Sequence, residues 1–324
     1  MYMTIKLSCA PMEGLTTRVY RAVLMRHFPA DVRFYSPFIS PTSSEELNSH
    51  EMRDVQPEQN EGITLIPQIL TNHADEFLFT ADKLARLGYT EVDLNLGCPS
   101  GTVVSRGRGA GFLAHPEELD AFLSAIFTSS PLPISIKTRV GLSDPAEFPG
   151  LLEIYNRYPA TQLTVHPRVR TDFYRGMIHP ESIRYAVEHS VLPLCYNGDI
   201  FTKQGFDALR EEFPSLDSFM VARGQIANPA LLRELSGGPA ITKDELYAFQ
   251  EDLFESYLAL GWSAKSVLAR MKEYWQYMSS LLQNQRRSFK RIAKSQDLTQ
   301  YRVNVDFVFA SDELVSGGGF VNTF

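Results

Sequence analysis

The chain has 324 residues, 44% of them hydrophobic, and a formal net charge of −7. That apolar content suffices for one large core with a smaller companion and excludes a disordered chain. The first residues lack a secretory pattern and no stretch reaches about 18 uninterrupted apolar residues, so the expectation is a cytoplasmic protein that crosses no membrane.

Eight short β-prone runs follow one another, at 5–10, 32–38, 63–69, 90–96, 133–138, 161–166, 192–197 and 217–222. Most of the gaps between them hold a helical pattern, as at 73–88, 116–127 and 203–213; the gap from 39 to 62 is polar and reads as a loop with a short helix. Parallel strands need such crossovers, and eight strand-then-helix units over this length predict a (β/α)₈ TIM barrel with a C-terminal helical domain. An open doubly wound sheet is the competing architecture. Polar residues gather where each run ends, which is where a barrel places its chemistry.

After the Gly237-Gly238-Pro239 break the pattern turns to long helices at 243–261 and 263–295, and then to a short alternating run and a glycine-rich tail. The expected division is a catalytic barrel at 1–238, a helical RNA-binding domain at 239–298 and a tail at 299–324 to which no role is assigned. Between Lys265 and Arg302 nine basic residues face two acidic ones, a local charge of +7 in a chain of −7, so the remainder carries −14. Such a run is either a solvated helix face or a phosphate-binding surface, and the contrast in sign favours RNA. Tyr274, Trp275, Tyr277 and Phe289 beside it read as helix-packing core.

The three cysteines, Cys9, Cys98 and Cys195, share no pairing or zinc-ligand spacing, so neither a disulfide frame nor a metal site is expected. Cys9 and Cys195 sit inside apolar strands and read as core. Cys98, between Gly97 and Pro99, leaves its strand on a tight turn at the barrel mouth. There a thiol acts as proton donor or as nucleophile, or is merely a small buried residue. Lys137 is an expensive guest in an apolar strand. It calls for a negative partner such as a reduced flavin ring or Asp93, or else forms a Schiff base. Arg139 lies on the same side of that strand and suits a uracil carbonyl or a phosphate. The glycine-containing turns at Asn197-Gly198-Asp199 and Arg223-Gly224 occupy the usual phosphate position of a barrel.

The ordered set APMEG (10–14), DLNLGCPS (93–100) with the glycine-rich stretch after it, IKTRVG (136–141), His166 with Arg168, NGDI (197–200) and ARGQIANP (222–229) resembles the tRNA-dihydrouridine synthases. The resemblance runs from about residue 7 to 235, and MKEYW (271–275) agrees in kind. It implies an FMN enzyme, reduced by NADPH, that passes hydride from flavin N5 to C6 of a uracil in tRNA while Cys98 protonates C5. Pro11, Met12, Gln68, Lys137, His166, Asn197, Asp199, Arg223 and Gly224 are then expected to contact FMN. Asn95, Arg139, Arg168 and Tyr174 are expected on the substrate side, with a flipped base from a flexible RNA loop as target and a monomer as the working species. The chain departs from the family pattern at Pro167 and Val169, and in carrying Arg106 and Arg108 within the glycine-rich stretch. An FMN barrel enzyme acting on a small molecule, such as a free pyrimidine or an enoyl compound, is the alternative; a non-catalytic RNA- or flavin-binding protein is a third.

Overall fold

The computed structural model describes residues 5–41 and 49–321. The chain divides into two compact units. The first comprises Met1–Gly14, Val32–Gly198 and Phe213–Met220; the second comprises Leu15–Asp31, Asp199–Glu212 and Val221–Phe324.

The first unit is built on β1 (Lys6–Cys9), β2 (Arg33–Tyr35), β3 (Thr64–Ile66), β4 (Gln68–Ile69), β5 (Val92–Leu96), β6 (Ile134–Arg139), β7 (Leu163–His166), β8 (Leu194–Tyr196) and β9 (Ser218–Val221). They hydrogen-bond in the order β3-β2-β1-β9-β8-β7-β6-β5-β4. The two ends of that order are one sequence run divided at Pro67, so the sheet closes into the parallel barrel of eight runs that the sequence predicts. Proline has no N–H to give the ladder, which explains the break. The gap closes because the Ile39 N–H donates to the Gln68 carbonyl at 2.8 Å and the Leu70 N–H to the Ile39 carbonyl at 2.9 Å.

Alternation along these strands separates two environments. On β5, Val92, Leu94 and Leu96 alternate with Asp93 and Asn95; on β6, Ile134 and Ile136 alternate with Ser135, Lys137 and Arg139. The register pairs Gln68 with Asp93, Asp93 with Ser135 and Asn95 with Lys137, so neighbouring strands bring their polar residues to the same level. The polar gap after β2 contains a helix at Ser49–Asp54 and a 3₁₀ turn at Pro57–Gln59, within its described part.

In the second unit the 263–295 pattern folds as two α-helices, Ala264–Met278 and Gln285–Ala293, parted by a 3₁₀ turn at Ser279–Leu281. The alternating run is not a strand: Leu298–Ser311 is a helix, with the Asp297 carboxylate accepting the Gln300 N–H at its start. Its fit to the helical core decides this. Tyr301, Val305 and Val308 are buried, and the fully buried Trp275 donates its indole N–H to the Tyr301 hydroxyl at 2.9 Å. Tyr274 is likewise fully buried, as a helix-packing residue should be.

Candidate active site

The barrel's strand ends converge on the loop that follows β5. Asn95 makes that loop. Its Oδ1 accepts the N–H groups of Gly97 and Cys98 at 3.0 and 2.9 Å, while its Nδ2 donates to Gln68 Oε1 at 2.7 Å. The Cys98 carbonyl then accepts the Ala110 N–H at 3.1 Å. Gly109 must be glycine here: its φ is +56°, and a Cβ would stand 2.9 Å from the Cys98 oxygen. The half-buried Cys98 is therefore held through its backbone. Burial raises that thiol above its ordinary range, outweighing a Ser100 N–H and the Arg139 and Lys137 cations, which lower it. A raised thiol stays protonated at neutral pH and suits an acid better than a nucleophile. Cys9 and Cys195 are buried.

The Lys137 ammonium makes no hydrogen bond or ion pair with another described residue. Asp93 makes no ion pair with it, its two oxygens accepting from Gln68 Nε2 at 2.6 Å and Ser135 Oγ at 2.7 Å, although its charge favours the ammonium. Burial, then Arg139, lowers the Lys137 ammonium to about 8, while burial pushes the Asp93 carboxyl up to about 7. A desolvated ammonium of this kind fits an anionic group, such as the N1 and O2 edge of a reduced flavin.

Arg139 is placed differently from a free substrate clamp. Its Nε, Nη1 and Nη2 donate to the carbonyls of Gly97, Val169 and Phe173 at 2.9, 2.9 and 2.8 Å, tying the Cys98 loop to the loop after β7. Arg168 Nε donates to the Gly176 carbonyl at 2.7 Å. His166, the last residue of β7, meets the edge of the Tyr174 ring at 6.3 Å. The Asp172 carboxylate accepts the Val169 N–H at 3.0 Å and the Pro167 carbonyl accepts the His179 N–H at 2.7 Å, so the Pro167 departure sits in a tightly tied loop. Phe173 has a φ of +49°, a strained value for a bulky residue. It stands about half exposed beside Tyr174, at 45% and 49%. Pro11 and Met12 follow β1, and Asn197 follows β8 with its Nδ2 donating to the Met220 carbonyl at 2.7 Å.

Within the second unit, Arg223 Nη2 pairs with Asp199 Oδ1 at 2.6 Å. The Arg223 guanidinium also lies 5.2 Å from the rings of both Phe201 and Phe320. A Cβ on Gly224 would stand 2.2 Å from the Ile200 carbonyl oxygen, so only glycine fits there. The tail left without a role thus supplies a packing partner for Arg223.

Several contributors were not read from the sequence in the roles they hold, Asp93 being expected only as a counter-ion for Lys137. Asp93 and Ser135 lie under the site, and Arg108, read only as a departure, pairs with Glu76 at 2.9 Å and reaches Asn72 and Ser40 at 3.3 Å each. The register of β4, β5 and β6 reveals the first two; only the folded loops reveal the third.

In the basic segment, Arg270 pairs with Glu273 at 2.6 Å, Lys272 donates to the Ser295 carbonyl at 2.6 Å and Arg302 pairs with Glu255. Arg291 lies over the Phe307 ring at 3.6 Å. Lys265, Arg286, Arg287, Lys290 and Lys294 remain exposed, with no partner among the described residues. No described helix is long and apolar enough to cross a membrane.

A family model described as dihydrouridine synthase (Dus) matches residues 8–313. The tRNA-dihydrouridine(16) synthase of Neisseria meningitidis serogroup B is 28% identical over 306 residues, covering 90% of this chain and 91% of the relative. A probable tRNA-dihydrouridine synthase 1 of Synechocystis is 27% identical over 230 residues, covering 70% of this chain but less than two thirds of the relative, 63%. Among solved structures, a morphinone reductase mutant in complex with tetrahydroNAD superposes with a TM-score of 0.52 at 11% identity, over 72% of this chain and 87% of that one. At that identity the likeness speaks for the fold alone.

Proposed function

Since the chain belongs to the dihydrouridine synthase family, we propose that it reduces specific uridines of tRNA to 5,6-dihydrouridine, with FMN as its cofactor and NADPH as reductant. The observation that carries this reading is the unpartnered Lys137 ammonium in the same strand-end cluster as a thiol that burial keeps protonated. When bound, FMN supplies the hydride that goes to C6 of the uracil. Lys137 would hold the anionic edge of the ring system, and Gln68, Pro11, Met12 and His166 would contact it. Asn197, Asp199, Arg223 and Gly224 serve the phosphate side.

Cys98 gives its proton to C5 of the base, so that hydride and proton together saturate the C5=C6 bond and a thiolate is left. Arg139 and Lys137 then lower the cost of that thiolate. Asn95, Arg139 and Arg168 shape the substrate side by fixing the loops that border it, and Tyr174 presents an exposed ring to a base that has left its stack. The exposed cations of the Gln285–Ala293 helix support RNA over a free pyrimidine, because a small molecule gives them nothing to bind. Residues 239–298 are, in this reading, the RNA-binding domain of a cytoplasmic monomer.

The test is direct. The purified protein is expected to be yellow, to release FMN on denaturation, and to form dihydrouridine in an unmodified tRNA when given NADPH. A colourless protein that cannot be reconstituted with FMN overturns the proposal; a yellow protein that reduces free pyrimidines but leaves tRNA unchanged overturns the RNA part.

A further inference from the structure

We propose that Asp93 is a positioning residue for Cys98, acting through Gln68 and Asn95, whose amide orientations its carboxylate dictates. The proposal rests on the reading of Cys98 as the acid and adds the device that holds it. The chain of contacts runs one way. The Cys98 and Gly97 N–H groups donate to Asn95 Oδ1, Asn95 Nδ2 donates to Gln68 Oε1, and Gln68 Nε2 donates to Asp93 Oδ2, at distances between 2.6 and 3.0 Å.

An amide can turn over and exchange its oxygen for its NH₂ group, but an ionised carboxylate only accepts, as Asp93 does above its titration near 7. Asp93 is fully buried, and Ser135 Oγ donates to its other oxygen at 2.7 Å. Gln68 must therefore present its NH₂ group to Asp93, which turns its oxygen to Asn95. Asn95 must in turn present its NH₂ group to that oxygen, which leaves Asn95 Oδ1 as the acceptor for the two backbone N–H groups at Cys98. Gln68 is also fully buried and Asn95 only 8% exposed, so water is poorly placed to rescue a reversed amide. Three strands share the task, and the register of Gln68, Asp93 and Ser135 on one level of the barrel makes it possible.

The polarity of the chain can be reversed by substitution, which gives a test. In N95D the new carboxylate still accepts from Gly97 and Cys98 but faces the Gln68 oxygen, and Asp93 forbids Gln68 to turn. In D93N/N95D Gln68 is free to turn, donating to the new carboxylate and accepting from the new amide at position 93, whose oxygen takes the Ser135 hydroxyl. The readouts need neither tRNA nor NADPH: the pH profile of iodoacetamide alkylation at Cys98 above pH 8, where Asp93 is ionised, followed by peptide mass spectrometry, and Tm in the same range, both on the full chain as purified.

N95D is expected to shift the alkylation rate by about threefold or more and to lower Tm, whereas D93N/N95D returns both toward the wild-type values. If the double variant lies as far from wild type as the two single effects added together, the proposal is overturned. Should N95D not fold, recovery of folded protein by adding D93N is the expected result. A double variant that fails to fold while D93N alone folds overturns the proposal. If the double variant shows this rescue but the wild-type protein forms no dihydrouridine, the functional reading alone fails.

Discussion

In the barrel, Asp93 and Arg139 are withdrawn from water and Lys137 is half-buried beside them, whereas in the Gln285–Ala293 helix Arg286, Arg287 and Lys290 stand in solvent. The difference teaches how far a charge can be interpreted. A buried charge must be answered by a neighbour or by a ligand. Arg139 and Asp93 are answered by hydrogen bonds, so the Lys137 ammonium, which makes none with the described residues, points to something bound. An exposed charge needs no answer, so only the density and sign of the helix's cations point to a partner.

Substitutions at the two places should break or sharpen that contrast. The largest effect is expected at Cys98: Cys98→Ala keeps the flavin spectrum but lowers dihydrouridine formation by about 10²- to 10⁴-fold, the range for a positioned acid. Full activity in that variant would remove the acid from Cys98. Lys137→Met is expected to weaken FMN binding by about 10- to 100-fold, the worth of one charged hydrogen bond. In the wild type FMN affinity should also fall as pH rises through about 8, where the ammonium is lost. A flat titration of affinity between pH 7 and 10 would contradict this placement.

Exchanging Arg286, Arg287 and Lys290 together for Glu should weaken tRNA binding and reduce the slope of log affinity against log salt by about 2 to 3, with Tm nearly unchanged. An unchanged affinity would make the helix a solvated face. For Asp93 the sign follows from a carboxyl raised to about 7. Its protonated form favours the fold, so this contribution is fully present below the ordinary carboxylate range near 4 and is lost as pH rises through 7. Urea unfolding of D93N between pH 4 and 8 should show a weaker decline than wild type. The smallest effect belongs to Arg302→Ala, whose exposed pairing with Glu255 should leave stability within about 0.5 kcal/mol.

The barrel was legible because alternation and crossover length leave few other arrangements, and the strands fall on all eight predicted runs, β6 reaching one residue beyond its run. The break at Pro67 was written in the sequence too, but proline's missing donor matters only once neighbouring strands are known. The helix at Leu298–Ser311 was not legible, because Tyr301 and Val305 suit a strand as well as a helix and the packing around Trp275 decides between them. Among site residues, Cys98 and Lys137 stood out because each is a poor fit to its local surroundings. Asp93 did not, since its meaning lies in a cross-strand register that joins residues 25 and 42 positions apart. Arg139 shows the opposite difficulty: residue type suggested a substrate contact, and only the loops revealed three backbone carbonyls around its guanidinium.

The central claim, that this chain reduces uridine in tRNA, is tested most directly by mapping dihydrouridine in tRNA from cells with and without its gene. Loss of dihydrouridine at one or more positions, restored by the wild-type gene but not by Cys98→Ala, is the predicted result. An identical dihydrouridine map in both strains would contradict the claim.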